Sequence, residues 1–257
     1  MKITFLGTGT SQGVPVIACK CGVCTSPDEH DKRLRSSVMI EISGKVIVID
    51  TGPDFRAQML REDVTQLDAV LLTHAHKDHT GGLDDVRSFN FSQEKPMDVF
   101  ARAEVQKAIH REFLYAFAAD KYPGVPQIIQ HTIKHKAFVA ASIKIIPVEA
   151  EHYTMKVAGY RIACFAYLTD ASYISPKEKQ KLTGLDVLVL NALRVSPHYS
   201  HYNLEQALEL IAELKPKQAF LTHISHLMGR YAEMKNKLPS NVQFAYDGLK
   251  IDICDNP

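Results

Sequence analysis

The chain has 257 residues, 46% of them hydrophobic and 23% charged, with a formal net charge of +1. That is enough to bury one sizeable core, and it excludes a protein-wide field that would recruit a polyanion. No stretch approaches the roughly 20 apolar residues of a membrane span. The N-terminal MKITFLGTGT lacks the long apolar run of a secretory signal, so a cytoplasmic protein without a membrane partner is expected.

In chain order, residues 2–6 read as a short strand ending at Gly7. Residues 7–35 carry glycines, prolines and three close cysteines, and read as loop. The β-branched runs 38–42 and 46–49 flank Ser43-Gly44 and predict a hairpin. Helical character follows over 54–61, then an apolar strand over 68–72. Helices are predicted near 83–90 and 103–117, and strands near 143–148, 153–158 and 161–167. Helix and strand then alternate: helix 176–182, strand 186–190, helix 203–214, strand 217–221, helix 226–237, strands 242–245 and 249–253. Hairpin strands followed by such alternation imply mixed sheets covered by helices, an α/β chain of one domain spanning 1–257.

The most informative stretch is LLTHAHKDHTGG at 71–82. His74, His76, Asp78 and His79 fall within six positions just past an apolar strand, where a rigid scaffold presents chemistry. His74 and His76 can point the same way from an extended segment. Their nitrogens and the Asp78 carboxylate suit zinc, manganese or iron, and Gly81-Gly82 permits close backbone approach. His152, Asp170 and His223 likewise each follow a predicted strand.

This cluster resembles that of the metallo-β-lactamase superfamily, whose fold is an αββα sandwich of two mixed β-sheets flanked by helices. The resemblance implies a two-metal hydrolase. By it, His74, His76 and His152 would hold one ion, Asp78, His79 and His223 the other, and Asp170 would bridge them. Asp50 would order the site from behind. Ions sharing a water can lower its pKa to roughly 7, and the net positive site then suits a small phosphodiester, with Asp78 among the catalytic residues. His198 and His201 in SPHYSHYNL are candidate general acids, although Ser200 or Asn203 could equally be a helix cap there.

The second signal is GTGTSQGVP at 7–15 followed by Cys19, Cys21 and Cys24, within a Cys-rich loop at about 10–35. Three thiolates and one histidine make a closed structural zinc site, with His226 in THISH as the expected fourth ligand. This combination resembles the phosphodiesterases of the bacterial carbon–phosphorus lyase pathway, which hydrolyse cyclic phosphates of ribose. That likeness places His201 at the acid position and is compatible with a homodimer. Three readings compete. A tRNA 3′-end processing endonuclease should carry a basic arm, and no large nucleic-acid partner is expected here. A glyoxalase-like thioesterase would not need the cysteine loop, and a non-catalytic protein of quinone-cofactor biosynthesis could lose ligands that this chain keeps. Residues 110–127 read either as a substrate lid or as a packed amphipathic helix.

Overall fold

Fourteen strands form two seven-stranded sheets in the computed structural model, which describes residues 1–253. The first sheet contains β1 (Lys2–Gly7), β2 (Ser37–Ile42), β3 (Lys45–Ile49), β4 (Ala69–Leu71), β5 (Met97–Ala101), β6 (Ile128–Thr132) and β14 (Lys250–Asp252), in the order β14-β1-β2-β3-β4-β5-β6. The second contains β7 (Phe138–Ala140), β8 (Ile143–His152), β9 (Met155–Ile162), β10 (Phe165–Leu168), β11 (Val187–Asn191), β12 (Gln218–Thr222) and β13 (Val242–Phe244), running β13-β12-β11-β10-β9-β8-β7. Pairing is parallel from β3 to β6 and from β10 to β13, and antiparallel elsewhere.

Strand periodicity builds the layers, because alternate side chains point to opposite faces. On β11, Val187 and Val189 face the space between the sheets with Ile3, Ile47, Tyr160 and Phe165. Leu188 and Leu190 face outward onto Ala207, Leu210 and Ile211 of the helix Leu204–Leu214. On the other side Val48, Val70 and Val99 pack against Phe55, Met59, Phe89 and Ile109 from the flanking helices. Strands buried on both faces read as continuous apolar runs. The expected αββα sandwich is therefore present, and no described helix is long and apolar enough to cross a membrane.

Several predicted boundaries move. β5, β6 and β7 were not expected: each is short, and β6 carries Gln130 and His131 on a half-exposed edge. The hairpin turns fall at 153–154 and 163–164, so β8 is longer and β9 and β10 start later than predicted. The predicted 226–237 helix is broken into the turns His226–Met228, Tyr231–Met234 and Lys235–Lys237, with Gly229 at φ 99° between the first two. The predicted 103–117 helix is interrupted at Phe113, giving Ala103–Glu112 and Leu114–Phe117. Phe113 and Ala116 are packed in the outer core, and the Tyr115 hydroxyl donates to Asp84 while Lys77 pairs with Glu112. The 110–127 segment is thus anchored along its first third.

One buried cluster fastens the GTGT loop to the C-terminal strands. Asp247 accepts from the Thr8 hydroxyl at 2.8 Å and from the Leu34 backbone N–H at 2.7 Å. Buried Arg33 donates to the Thr8 hydroxyl at 2.7 Å and to the Ala245 carbonyl at 2.5 Å. Burial pushes the Asp247 carboxyl up to about 6, against the pull of these donors and of Arg33. Since this lies above the unfolded value, the protonated form favours the folded chain. That contribution is complete below about pH 4 and is lost as pH rises through about 6. The Tm of the wild type minus that of Asp247→Asn is expected to fall as pH is raised from 4 to 7; a difference independent of pH would contradict the buried-carboxyl assignment.

Candidate metal centre

The site forms where strand ends from both sheets meet. β3 delivers Asp50, β4 delivers His74, β8 ends at His152, β10 is followed by Asp170 and β12 by His223. Two contacts hold the sheets in register at this point. The Tyr160 hydroxyl donates to the Leu72 carbonyl at 2.6 Å, and the Ala158 N–H donates to the Thr73 carbonyl at 3.0 Å. Gly52 and Gly82 let the 50–52 loop press against the segment carrying Asp78. A Cβ on Gly52 would lie 2.2 Å from the Asp78 carbonyl, and one on Gly82 2.2 Å from that of Gly52.

Every donor expected from the sequence is brought together. His74, His76 and His152 form one group, and Asp78, His79, Asp170 and His223 a second; within each, one ligand atom per residue lies within 4.8 Å of all the others. Asp170 also groups with His152 and His201 on the same criterion, so it stands between the two sets. Its carboxylate oxygens lie 3.2 Å from His79 Nε2, 3.2 Å from His223 Nε2 and 3.0 Å from His201 Nε2.

Hydrogen bonds behind the ring nitrogens decide which face the metal groups. His79 Nδ1 donates to buried Asp50 at 2.7 Å, which turns Nε2 toward Asp78 and Asp170. The Thr73 hydroxyl donates to Asp50 at 2.8 Å and can accept from His74 Nδ1 at 3.0 Å, leaving His74 Nε2 beside His76 Nδ1 at 3.0 Å. His152 Nδ1 donates to the Ser200 carbonyl at 2.8 Å, freeing Nε2. Such outer partners fix tautomer and orientation in metal sites. Asp50 thus has the placement expected for it. Thr73, Ser200 and Asn191 were not foreseen. Asn191, fully buried at the end of an apolar strand, accepts from the Ala171 N–H at 2.7 Å and donates to the Ala171 carbonyl at 3.0 Å, holding the Asp170 loop. A lone polar residue closing a run of Val and Leu was its only sequence signal.

The electrostatics call for cations. Burial works to raise the Asp78 and Asp170 carboxyls, but the imidazoles of His79 and His223 outweigh it and hold both below the usual carboxylate range. Burial keeps His74 well below the usual imidazole value, lowers His152, and holds His223 at about 4. These three therefore present lone pairs at neutral pH. Burial also lowers His79, but Asp170, Asp78 and Asp50 outweigh it and raise it well above the ordinary range. His79 Nε2 is buried without a well-aligned hydrogen bond among the described residues, facing Asp78 at 3.0 Å and Asp170 at 3.2 Å. A buried nitrogen so placed beside carboxylates is what a divalent ion would satisfy, so the donor set fits the metals that the fold implies.

A separate group fits a structural ion. Cys19, Cys21 and Cys24 place their sulfurs 3.3, 3.4 and 3.4 Å from His226 Nδ1. A tetrahedral zinc with ordinary Zn–S and Zn–N bonds sets sulfur and nitrogen about 3.5 Å apart. The Thr10 N–H donates to the Ile224 carbonyl at 3.1 Å and the Ile224 N–H to the Thr8 carbonyl at 2.9 Å. That ladder lets one segment send His223 to the first centre, 3.3 Å from the Thr10 hydroxyl, and His226 to the cysteines.

His201 Nδ1 lies 2.9 Å from the Ser200 hydroxyl and 3.2 Å from His198 Nδ1. Asn203 caps the following helix in a capping box with Gln206, so the capping reading and the proximity of His201 to Asp170 both hold.

Removing Asp50 leaves His79 Nδ1 and Thr73 without their acceptor. Asp50→Ala is expected to weaken metal binding at the histidine–aspartate centre roughly 10–100-fold in a chelator competition, while the cysteine site keeps its ion. His226→Ala should release one zinc per chain and lower Tm. Unchanged metal affinity in Asp50→Ala would refute the orienting role.

A model of the β-lactamase superfamily domain matches residues 45–224. The octanoyltransferase of Porphyromonas gingivalis is 39% identical over 253 residues, 97% of this chain and 51% of that protein, so the chain spans about half of that curated relative. A solved structure described as a new diphosphatase from the PhnP family is 41% identical with a TM-score of 0.91, covering 98% of this chain and 97% of that one. Zinc-bound PqqB from Methylobacterium extorquens shares the fold at 16% identity, with a TM-score of 0.79 and coverage of 98% and 100%. The shared architecture, the converging donors and the matched domain agree: the chain belongs to the metallo-β-lactamase superfamily.

Proposed function

We propose that the chain is a phosphodiesterase of the PhnP type, hydrolysing a small phosphodiester such as a cyclic ribose or nucleotide phosphate. The observation that carries this is the position of His201, 3.0 Å from the carboxylate that stands between the two donor groups. Zinc, manganese or iron in the histidine–aspartate centre would supply Lewis acidity and a water ionised near neutral pH. Two carboxylates against two such ions leave the site net positive, which favours an anionic diester.

The chain's own groups then divide the work. Asp78, His79, Asp170 and His223 fix one donor set, and His74, His76 and His152 the other. His201 Nε2 holds the proton for the departing alkoxide, with Nδ1 held by the Ser200 hydroxyl. The His152–Ser200 bond keeps the loop bearing His201 in register with the donors. Cys19, Cys21, Cys24 and His226 hold a structural zinc that anchors the loop opposite. The expected homodimer and cytoplasmic location remain part of this reading.

The PhnP-family relative named for a diphosphatase favours a second reading, cleavage of a P–O–P bridge at the same centre. The match to the Porphyromonas gingivalis octanoyltransferase spans half of that protein, and octanoyl transfer is not carried over to this chain.

Metal-loaded protein is expected to hydrolyse bis(p-nitrophenyl) phosphate, and Asp78→Ala to lose that turnover. His201→Ala should lower turnover of a 2′,3′-cyclic nucleotide by about 10²–10⁴-fold. It should lower turnover of the nitrophenyl diester far less, since a phenolate departs without protonation. Equal losses would contradict the acid role, and absence of turnover from fully loaded protein would sink the phosphodiesterase reading.

A further inference from the structure

Two large aromatic side chains stand in solvent at the rim of the metal centre. Tyr153 is 64% exposed and Tyr199 74% exposed, and their rings meet edge to face, centroids 5.3 Å apart at 77°. Tyr153 directly follows the donor His152, and Tyr199 lies two residues before His201. Ring contacts run inward without a gap. His198 stacks on Tyr199 at 4.5 Å, His198 meets His201 at 5.2 Å, and His201 meets His152 at 4.6 Å and His223 at 5.1 Å. Tyr199 therefore lies two ring contacts from His201, and Tyr153 three.

Tyr153 occupies a backbone position that does not suit it. It is the first residue of the two-residue turn joining β8 to β9, at φ 55°, where Gly or Asn would be relaxed and a bulky aromatic is strained. The turn is held in place, with the Tyr153 N–H donating to the Ser172 hydroxyl at 3.4 Å. Packing does not explain the residue, because most of the ring is in water. Strain retained at the rim of a catalytic centre points to a use for the side chain.

We propose that Tyr153 and Tyr199 form an aromatic corner that takes the base of a nucleotide substrate. A planar base lies against one ring and meets the other with its edge, while the phosphoryl group reaches the metal centre below. This deepens the phosphodiesterase reading, on which it rests, by selecting nucleoside phosphodiesters over base-free sugar phosphates. Stacking on aromatic rings tolerates any base, because every base has a π-face, so the corner selects for a base without selecting which one.

Calorimetric titration of the metal-loaded protein with AMP and with ribose 5-phosphate isolates the base, since the two probes share the 5′-phosphate. AMP is expected to bind about tenfold more tightly or better, in line with base-on-ring stacking. Tyr199→Ala should abolish most of that preference and Tyr199→Phe keep it. Tyr153→Asn should reduce it while keeping or raising Tm, which separates the role from folding. Equal affinities in the wild type, or a preference that survives both Tyr199→Ala and Tyr153→Asn, would overturn the inference. Should bis(p-nitrophenyl) phosphate still be hydrolysed in that case, the phosphodiesterase reading stands alone. A loaded protein that hydrolyses no phosphodiester overturns both.

Discussion

Asp170, Asp78 and His79 are buried together, with His79 Nε2 3.0 Å from Asp78 and 3.2 Å from Asp170. Burying ionised carboxylates is costly unless opposite charge accompanies them. The imidazoles meet part of that need, which is why both carboxyls stay ionised while His79 is driven to hold a proton. Divalent ions would meet it more fully. Most of the structure near the site can be understood as a scaffold that tolerates this concentration of ionisable groups until cations join it.

Two features make that tolerance possible. The parallel strands β3, β4, β10 and β12 all end on the same side of the sandwich, so donors from both sheets converge without long loops. The turns that follow them are then bent sharply: Asp50, Asp170 and His223 sit at φ 66°, 58° and 56°. Left-handed backbone at non-glycine residues is uncommon and clusters at functional sites. Here it lets a residue just beyond a strand turn back over the strand end. The Thr73 hydroxyl then holds Asp50, and Asn191 holds Ala171 next to Asp170.

The donor set was legible in the sequence because each ligand stands just past an apolar run, and because a strand presents alternate residues to one side. His226 was legible for a similar reason, three residues beyond His223 on a segment that must face two ways. Strands β5, β6 and β7 were not, since short segments bearing Asp98, Gln130 or His131 lack a continuous apolar run. Their strand state comes from pairing with neighbours. The split of the expected 226–237 helix turns on Gly229, whose φ of 99° no helix accommodates. The partners behind the ligands escaped notice because Thr73, Ser200 and Asn191 are ordinary polar residues until the fold places their atoms. The Tyr153–Tyr199 corner joins residues 46 positions apart and had no local signal at all.

The proposed metal content is the claim on which the chemistry depends, and anomalous diffraction from crystals of the metal-loaded protein tests it directly. Three peaks per chain are expected: two flanking the Asp170 carboxylate, with His74, His76 and His152 around one and Asp78, His79 and His223 around the other, and a third enclosed by Cys19, Cys21, Cys24 and His226. A map with density only at the cysteine group, after incubation with zinc and with manganese, would contradict the two-metal centre.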